Sequence, residues 1–364
     1  SSDGNGQGEF VIMDTSYDEV ARLGAGNGRA GDLHEFQLTE DGTALVLVYE
    51  ESSADLSSVG GEADGATQDN FVQEIDIESG EVLLEWNASE HVPVSDTYAE
   101  LDEDADVPFD WFHVNSVGAD DAGGLLLSAR NTHAVYYIDR ETGELRWVLG
   151  GKSSDFTMTD ETTFAWQHDA RWTRDGMLSL FDNQAAPSPK EESRAIVLDL
   201  DEEQGTVELV HERTNPEPIR AFSQGNAQVL DDGATLVGWG SGSRITEFDA
   251  GGEPMIEVKL APAETYRAYR MPWRGEPTTS PDSVVEAADD GGLDVYVSWN
   301  GSTNVDRWQI LGGDTDDDLV PLATVAKDGF ETSTTVDDAD YFAVAAMDSD
   351  GAVLGTSDVT TTDG

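Results

Sequence analysis

A two-part unit recurs along this chain, and the recurrence constrains the fold more than any other feature. One half is a strand ending in Asp, a tight turn and a second strand. It reads VQEIDIESGEVLLEW (72–86), VYYIDRETGELRWVL (135–149), AIVLDLDEEQGTVELVHE (195–212) and ITEFDAGGEPMIEV (245–258), with a weaker copy in FVIMDTSYDEVARL (10–23). The other half precedes four of these as HEFQLTEDGTALVLVY (34–49), HVNSVGADDAGGLLLSAR (113–130), HDARWTRDGMLSLFDN (168–183) and GNAQVLDDGATLVGWG (225–240). Each of those is a strand, an Asp-rich turn with Gly, and an apolar strand. Helix signals are nearly absent. Four strands in roughly 45–60 residues make a β-propeller blade. The expected fold is therefore all-β, with four complete blades and an N-terminal half-blade at 10–23. Propellers close by pairing strands from the two chain ends, so YRAYRMPW (266–273), or sequence upstream, is expected to complete that half-blade.

After Trp273 the repeat stops. GEPTTSPDS (275–283) has the composition of a linker. About six short strands follow, a pattern that suits a small β-sandwich of the fibronectin-III or immunoglobulin kind. The expected organisation is a propeller over 1–275, a linker over 276–290 and a sandwich over 291–364. Trp299 and Trp308 are expected in the sandwich core, and Tyr341 is a candidate corner tyrosine.

Charge narrows the function. Lys plus Arg number 19 against 75 Asp plus Glu, a formal charge of −56. Such a chain cannot bind nucleic acid through basic patches, nor dock on anionic lipid. No apolar run is long enough to span or insert into a membrane. There is no cysteine, which removes thiol catalysis, Cys-based zinc sites and disulfides. In dilute buffer the acid excess repels itself, whereas at molar salt the Debye length falls to about 3 Å. The composition is that of a halophilic protein. Two sequons, Asn87-Ala-Ser89 and Asn300-Gly-Ser302, permit N-glycosylation and point to an extracellular or cell-surface location, with the chain, which starts SSDGNGQGEF, as a mature or trimmed form.

The repeat register places the candidate chemistry. His34, His113 and His168 occupy one position, the start of a blade's first strand, and Gly225 stands there in the fourth blade. First strands are innermost, so equivalent positions ring the central axis. Three imidazoles should thus meet at one mouth of the channel, with Asn115, Arg130, Arg171 and Asn183 as polar neighbours. Such a set can bind an anion and move protons. A repeated polar residue on an inner strand can also just bond one blade to the next. His91, His133 and His211 fall outside the register and are expected to be ordinary surface or loop residues. Zinc on three histidines is disfavoured because a propeller axis holds them far apart, and no metal or other cofactor is expected.

DWFHVNSV (110–117), LLLSARNTHAVYYID (125–139), LRWVLGG (145–151), WQHDARW (166–172), LFDN (180–183) and YRAYRMPW (266–273) together resemble the arylsulfotransferase family, in its widespread and sparsely characterised branch, over most of 10–275. The resemblance implies a six-bladed propeller, although the repeat count leaves five open. It also implies a channel histidine that is transiently sulfurylated, and sulfuryl transfer from an aryl sulfate to a phenol. Carried over, His113 and His168 are catalytic, and Asn115, Arg171, Arg130, Asn183 and His34 bind substrate. The family pattern leads one to expect a further imidazole from the next blade, where SQGNAQ (223–228) has none. Either His168 takes that role or the pocket only binds. The competing expectation is a secreted binding, adhesion or surface-structural propeller, with small anionic or aromatic ligands and cell-surface partners.

Overall fold

The computed structural model describes residues 6–102, 106–185, 190–288 and 292–361. Four four-stranded antiparallel sheets follow one another in chain order. The first holds Phe36–Leu38, Thr43–Ala54, Gly65–Asp76 and Val82–Asn87. The second holds Val114–Ala119, Gly124–Ala129, Ala134–Asp139 and Leu145–Gly150. The third holds His168–Trp172, Leu178–Asp182, Arg194–Asp201 and Thr206–Arg213. The fourth holds Asn226–Val229, Thr235–Gly238, Arg244–Phe248 and Pro254–Lys259. Every sheet is a simple up-and-down meander, the strand pattern of a propeller blade.

The repeat's turn residues cause these hairpins. Gly42, Gly123, Gly176 and Gly233 in the inner turns, and Gly80, Gly143, Gly205 and Gly252 in the outer ones, all have positive φ. Only glycine adopts that conformation without a Cβ penalty. The Asp that ends each third strand turns back on the chain. Asp76 accepts from the Ser79 amide, Asp139 from Glu141 and Thr142, Asp201 from Gln204 and Asp249 from Glu253.

Neighbouring sheets share cores. Leu45, Leu47, Val72 and Trp86 of the first sheet pack with Leu125, Leu127, Tyr136 and Ile138 of the second. Leu126, Val135, Tyr137 and Leu149 turn the other way, onto Leu178, Leu180, Ile196 and Leu198 of the third sheet. Alternate residues of the second sheet thus serve opposite neighbours, as a strand's two-residue period requires. Phe181 and Ala195 continue the stack onto Val237, Trp239 and Phe248.

After the fourth sheet the chain runs back beside its innermost strand as a strap, 266–270, held by side chains. The Gly225 amide donates to the Tyr266 carbonyl. Asn226 binds both the N–H and C=O of Ala268, at 2.8 and 2.7 Å. Gln228 binds both of Arg270's, at 2.7 and 2.9 Å. The strap therefore does not complete a half-blade at 10–23, which corrects that expectation. Among the described residues Phe10–Met13 pairs only with Glu19–Leu23.

The chain divides into two compact units: 1–10 with 23–270, and 11–22 with 271–364. Hairpin residues 11–22 thus belong with the C-terminal part. Tyr17 donates to the Gly301 carbonyl at 2.7 Å and accepts from Trp273 Nε1 at 3.0 Å. The stretch read as a linker holds a strand, Asp282–Ala287, paired with Leu293–Ser298. The second unit has two antiparallel sheets around a core of Val295, Val297, Trp308, Ile310, Phe342 and Val344. Trp308 is fully buried and donates to Thr332 Oγ1, and Trp299 packs at the edge of that core. No hydrogen bond engages the Tyr341 hydroxyl among the described residues. Among the described residues no helix is long and apolar enough to cross a membrane.

Candidate active site

His34 and His113 meet edge to face, with ring centroids 5.1 Å apart. Each has a carboxylate on Nδ1: Asp32 on His34, and Asp110 on His113. An ionised carboxylate only accepts, so each Nδ1 carries the proton and each Nε2 presents a lone pair. Among the described residues neither Nε2 has a hydrogen-bond partner. Tyr49 stacks on His34 at 5.3 Å and is fixed by its hydroxyl bond to the Val114 carbonyl. Tyr266 of the strap sets its edge against His34 at 5.5 Å and against His168 at 6.5 Å.

The local backbone is arranged for this meeting. His113 sits at φ +57°, a conformation that residues with a Cβ rarely adopt. It is held there because the Arg130 amide takes its carbonyl and Asn70 Oδ1 takes the amide of Val114. Such strain concentrates where a side chain must point in an otherwise unfavourable direction. Burial pulls the His113 pKa down, and Asp110 offsets only part of that, so the ring is neutral near neutral pH. Burial alone raises the Asp32 carboxyl. The bond and charge of His34, with the Gly6 and His34 amides, reverse this and hold it below its ordinary value.

His168 is committed differently. Its Nδ1 faces Asn183 Oδ1 at 2.7 Å and the Trp166 carbonyl at 3.1 Å, and its Nε2 accepts from the Gln224 amide at 3.2 Å. Both nitrogens are in use. Burial holds its pKa well below the ordinary value, with Arg130 adding to the effect. Asn183 also donates to the Ala221 and Gln224 carbonyls. His168 and Asn183 together anchor the 221–224 loop.

Arg130 is the cation of the site. It stacks over Trp166 at 4.7 Å and donates to Asn131 Oδ1 and the Phe222 carbonyl. Its Nε is buried without a partner, and among the described residues it makes no carboxylate ion pair. Arg171 contrasts with it. The strand is bulged between His168 and Arg171, which turns Arg171 inward, but Glu35 and Asp169 take its guanidinium. Arg267 closes a four-membered charge box by binding Glu35 at 2.9 Å and Asp169 at 3.2 Å. Asn115 spans from the second sheet to the third, donating to the Gln167 carbonyl at 2.8 Å and accepting from the Asp169 amide at 3.3 Å. Asn115 and Arg171 therefore build the wall of the site.

The residues that sequence reasoning missed are Asp32, Asp110, Tyr49 and Tyr266. The carboxylates had a signal: D-x-H at 32–34 and D-x-x-H at 110–113. His133 is not an ordinary loop residue. It is buried, stacked on Tyr98 at 4.1 Å and edge-on to Trp166 at 4.5 Å. The missing fourth imidazole has a steric cause: at Gly225, φ is +106° and a Cβ would lie 2.4 Å from the Phe181 ring.

A cavity of about 890 Å³ adjoins the pair on its carboxylate side, lined by Asp32, Tyr49 and Asp110 with Glu50, Glu51 and Glu100 among others. His34 and His113 themselves are not among its lining residues. Among the described residues no three His, Asp or Glu are arranged to hold a metal ion.

A family model described as arylsulfotransferase (ASST) matches residues 1–261. Comparison with curated proteins finds no match. Among solved structures, the chain is similar to the β-propeller domain of Cps50 (Swd1) from Myceliophteria thermophila, at 12% identity and TM-score 0.40 over 72% of this chain and 83% of that one. It is also similar to a protein from Lactobacillus plantarum, at 12% identity and TM-score 0.38 over 97% and 95% of the two chains. A third is a protein of unknown function from Bacteroides caccae, at 14% identity and TM-score 0.33 over 79% and 89%.

Proposed function

The chain belongs to the arylsulfotransferase family, and from that membership we propose that it transfers a sulfuryl group from an aryl sulfate to a phenol at the His34–His113 pair. The carrying observation is that pair: two imidazoles in contact, each with Nδ1 on a carboxylate and Nε2 free. The neutral His113 is the nucleophile. Its Nε2 attacks sulfur, an N–S bond forms, and the bond from sulfur to the aryl oxygen breaks. The phenolate departs as the anion. An acceptor phenol then gives its proton to the Nε2 lone pair of His34 while its oxygen displaces the imidazole from sulfur, and His34 passes that proton on to the departed phenolate. Overall an aryl sulfate and a phenol exchange the sulfuryl group, with no net proton change and no cofactor. Arg130, the cation without a carboxylate partner, offsets charge on the sulfuryl oxygens.

The same reading takes the four sheets as propeller blades and the C-terminal sheets as a fibronectin-III-like module. It places the protein outside the cell, in high salt, among cell-surface partners. Of the two sequons, Asn300 is exposed and free to carry a glycan, whereas the Asn87 amide already donates to Asp69 at 3.0 Å.

The test is incubation with a chromogenic aryl sulfate in molar KCl, with and without a phenol acceptor. Phenolate release that depends on acceptor is expected, with one sulfuryl group retained on His113 when acceptor is left out, as read by peptide mass. His113→Ala should abolish both signals. Absence of release and of adduct in the unaltered protein overturns the assignment.

A further inference from the structure

We propose that Asp110 and Asp32 are positioning residues that make the two imidazoles a directed pair by fixing both as the Nδ1–H tautomer. The assignment to sulfuryl transfer rests on the reading above, while the tautomer assignment stands by itself.

The geometry carries it. A free imidazole favours neither nitrogen strongly, so an unheld His113 would present a lone pair at Nε2 only part of the time. Asp110 lies three residues before His113 and reaches Nδ1 directly. Asp110 is itself placed, because Asn131 Nδ2 donates to its carbonyl at 2.6 Å. The Asn131 amide in turn donates to the Phe112 carbonyl. The chain at the carboxylate and just after it is therefore pinned. One oxygen, Oδ1, is buried with no partner, which leaves His113 as the carboxylate's single hydrogen-bonded neighbour among the described residues.

Asp32 is built more heavily. It accepts from the Gly6 amide at 2.8 Å and the His34 amide at 2.9 Å as well as from the His34 ring. Those bonds keep its charge in a buried place beside the His34 Nδ1. Asp110 sits beside a partly exposed imidazole that burial keeps neutral. The two similar dyads are thus held differently: Asp32 by two backbone amides as well as the His34 ring, Asp110 by the His113 ring alone among the described residues. His168 reaches the same tautomer through uncharged partners, but its Nε2 is occupied, so it cannot replace either.

The experiment uses the full-length protein labelled with ¹⁵N-histidine, in molar KCl and without substrate. The ring nitrogen shifts of His34 and His113, assigned by single His→Gln variants, should show Nδ1–H in both. An Nε2–H form at His113 overturns the proposal whatever the assay of transfer gives. Asp110→Asn should shift His113 toward Nε2–H and lower kcat by about 10² to 10⁴ with little change in KM, as when a catalytic imidazole loses its orienting carboxylate. Asp110→Asn with an unaltered His113 tautomer and unaltered kcat also overturns it. If Asp110→Asn does not fold, the unaltered protein's tautomers decide. If those are as stated but no aryl sulfate is turned over, the transfer reading fails and the positioning assignment stands.

Discussion

His133 shows what single residues conceal. In the sequence it is one more loop histidine. In the fold it lies between Tyr98 and Trp166, and burial, helped by the nearby charges of Arg130 and Lys152, pushes its pKa down to about 3. The unfolded chain takes up a proton there near the ordinary value of about 6.5, which the folded protein refuses. Between those values the unfolded state binds more protons, so stability falls as pH drops from about 6.5 toward 3. One such group contributes a slope of up to about 1.4 kcal/mol per pH unit. His133→Phe should keep the stack and remove that slope. Urea unfolding at stepped pH reads the difference, and equal slopes in both proteins would refute the burial argument. The dyads teach the same lesson from the other side. His34 and His113 were legible because they repeat in register. Asp32 and Asp110 were not, because they sit at different offsets, two and three residues back, so no repeat alignment stacks them. Arg171 was legible as an inward residue, but its ion-pair partner Glu35, and Arg267, which shares Glu35 and Asp169 with it, lie far away in sequence, where spacing says nothing.

Hairpins are the elements the sequence describes best. Every one of the four sheets was readable, because each depends on a local turn: a Gly at positive φ and an Asp that caps it. The strap was not readable as such. YRAYR has the composition of a strand, yet it makes few backbone ladder bonds, and Asn226 and Gln228 supply the pairing with their amides instead. Residues 10–23 misled for the opposite reason. Their hairpin is locally faithful to the repeat, but Tyr17 binds Gly301, a partner that no local pattern encodes. The strap can be tested where it is clamped. Asn226→Ala removes both bonds to the half-buried Ala268 backbone, a cost of about 1–3 kcal/mol. Because Tyr266 rides on the same strap, transfer activity should fall along with stability. Unfolding by urea and hydrogen exchange at the Ala268 amide measure the loosening. A change under about 0.5 kcal/mol, ordinary for a surface substitution, would mean that the clamps hold nothing.

At the scale of the molecule the dominant quantity is charge. Against 75 acidic residues stand 19 basic ones, and many of those are already paired: Arg29 with Glu85, Arg140 with Asp41 and Glu74, Arg194 with Asp182, Arg244 with Glu217 and Glu257. Salt acts on these two populations in opposite directions. It weakens exposed pairs, each worth at most about 1 kcal/mol. It also relieves repulsion among the far more numerous unpaired carboxylates, whose range shrinks from about 10 Å at 0.1 M to about 3 Å at 1 M. The excess of acids is about three times the number of bases available to pair, so relief outweighs the loss. Buried pairs such as Arg194–Asp182 are screened little and do not alter the sign. The thermal midpoint should therefore climb steadily from 0.1 M to 2 M KCl. Chloride is the right anion for the measurement, because sulfate strengthens apolar burial in any protein. A midpoint that stays flat in KCl would show that the fold carries its negative charge without cost and would remove the physical case for a high-salt habitat.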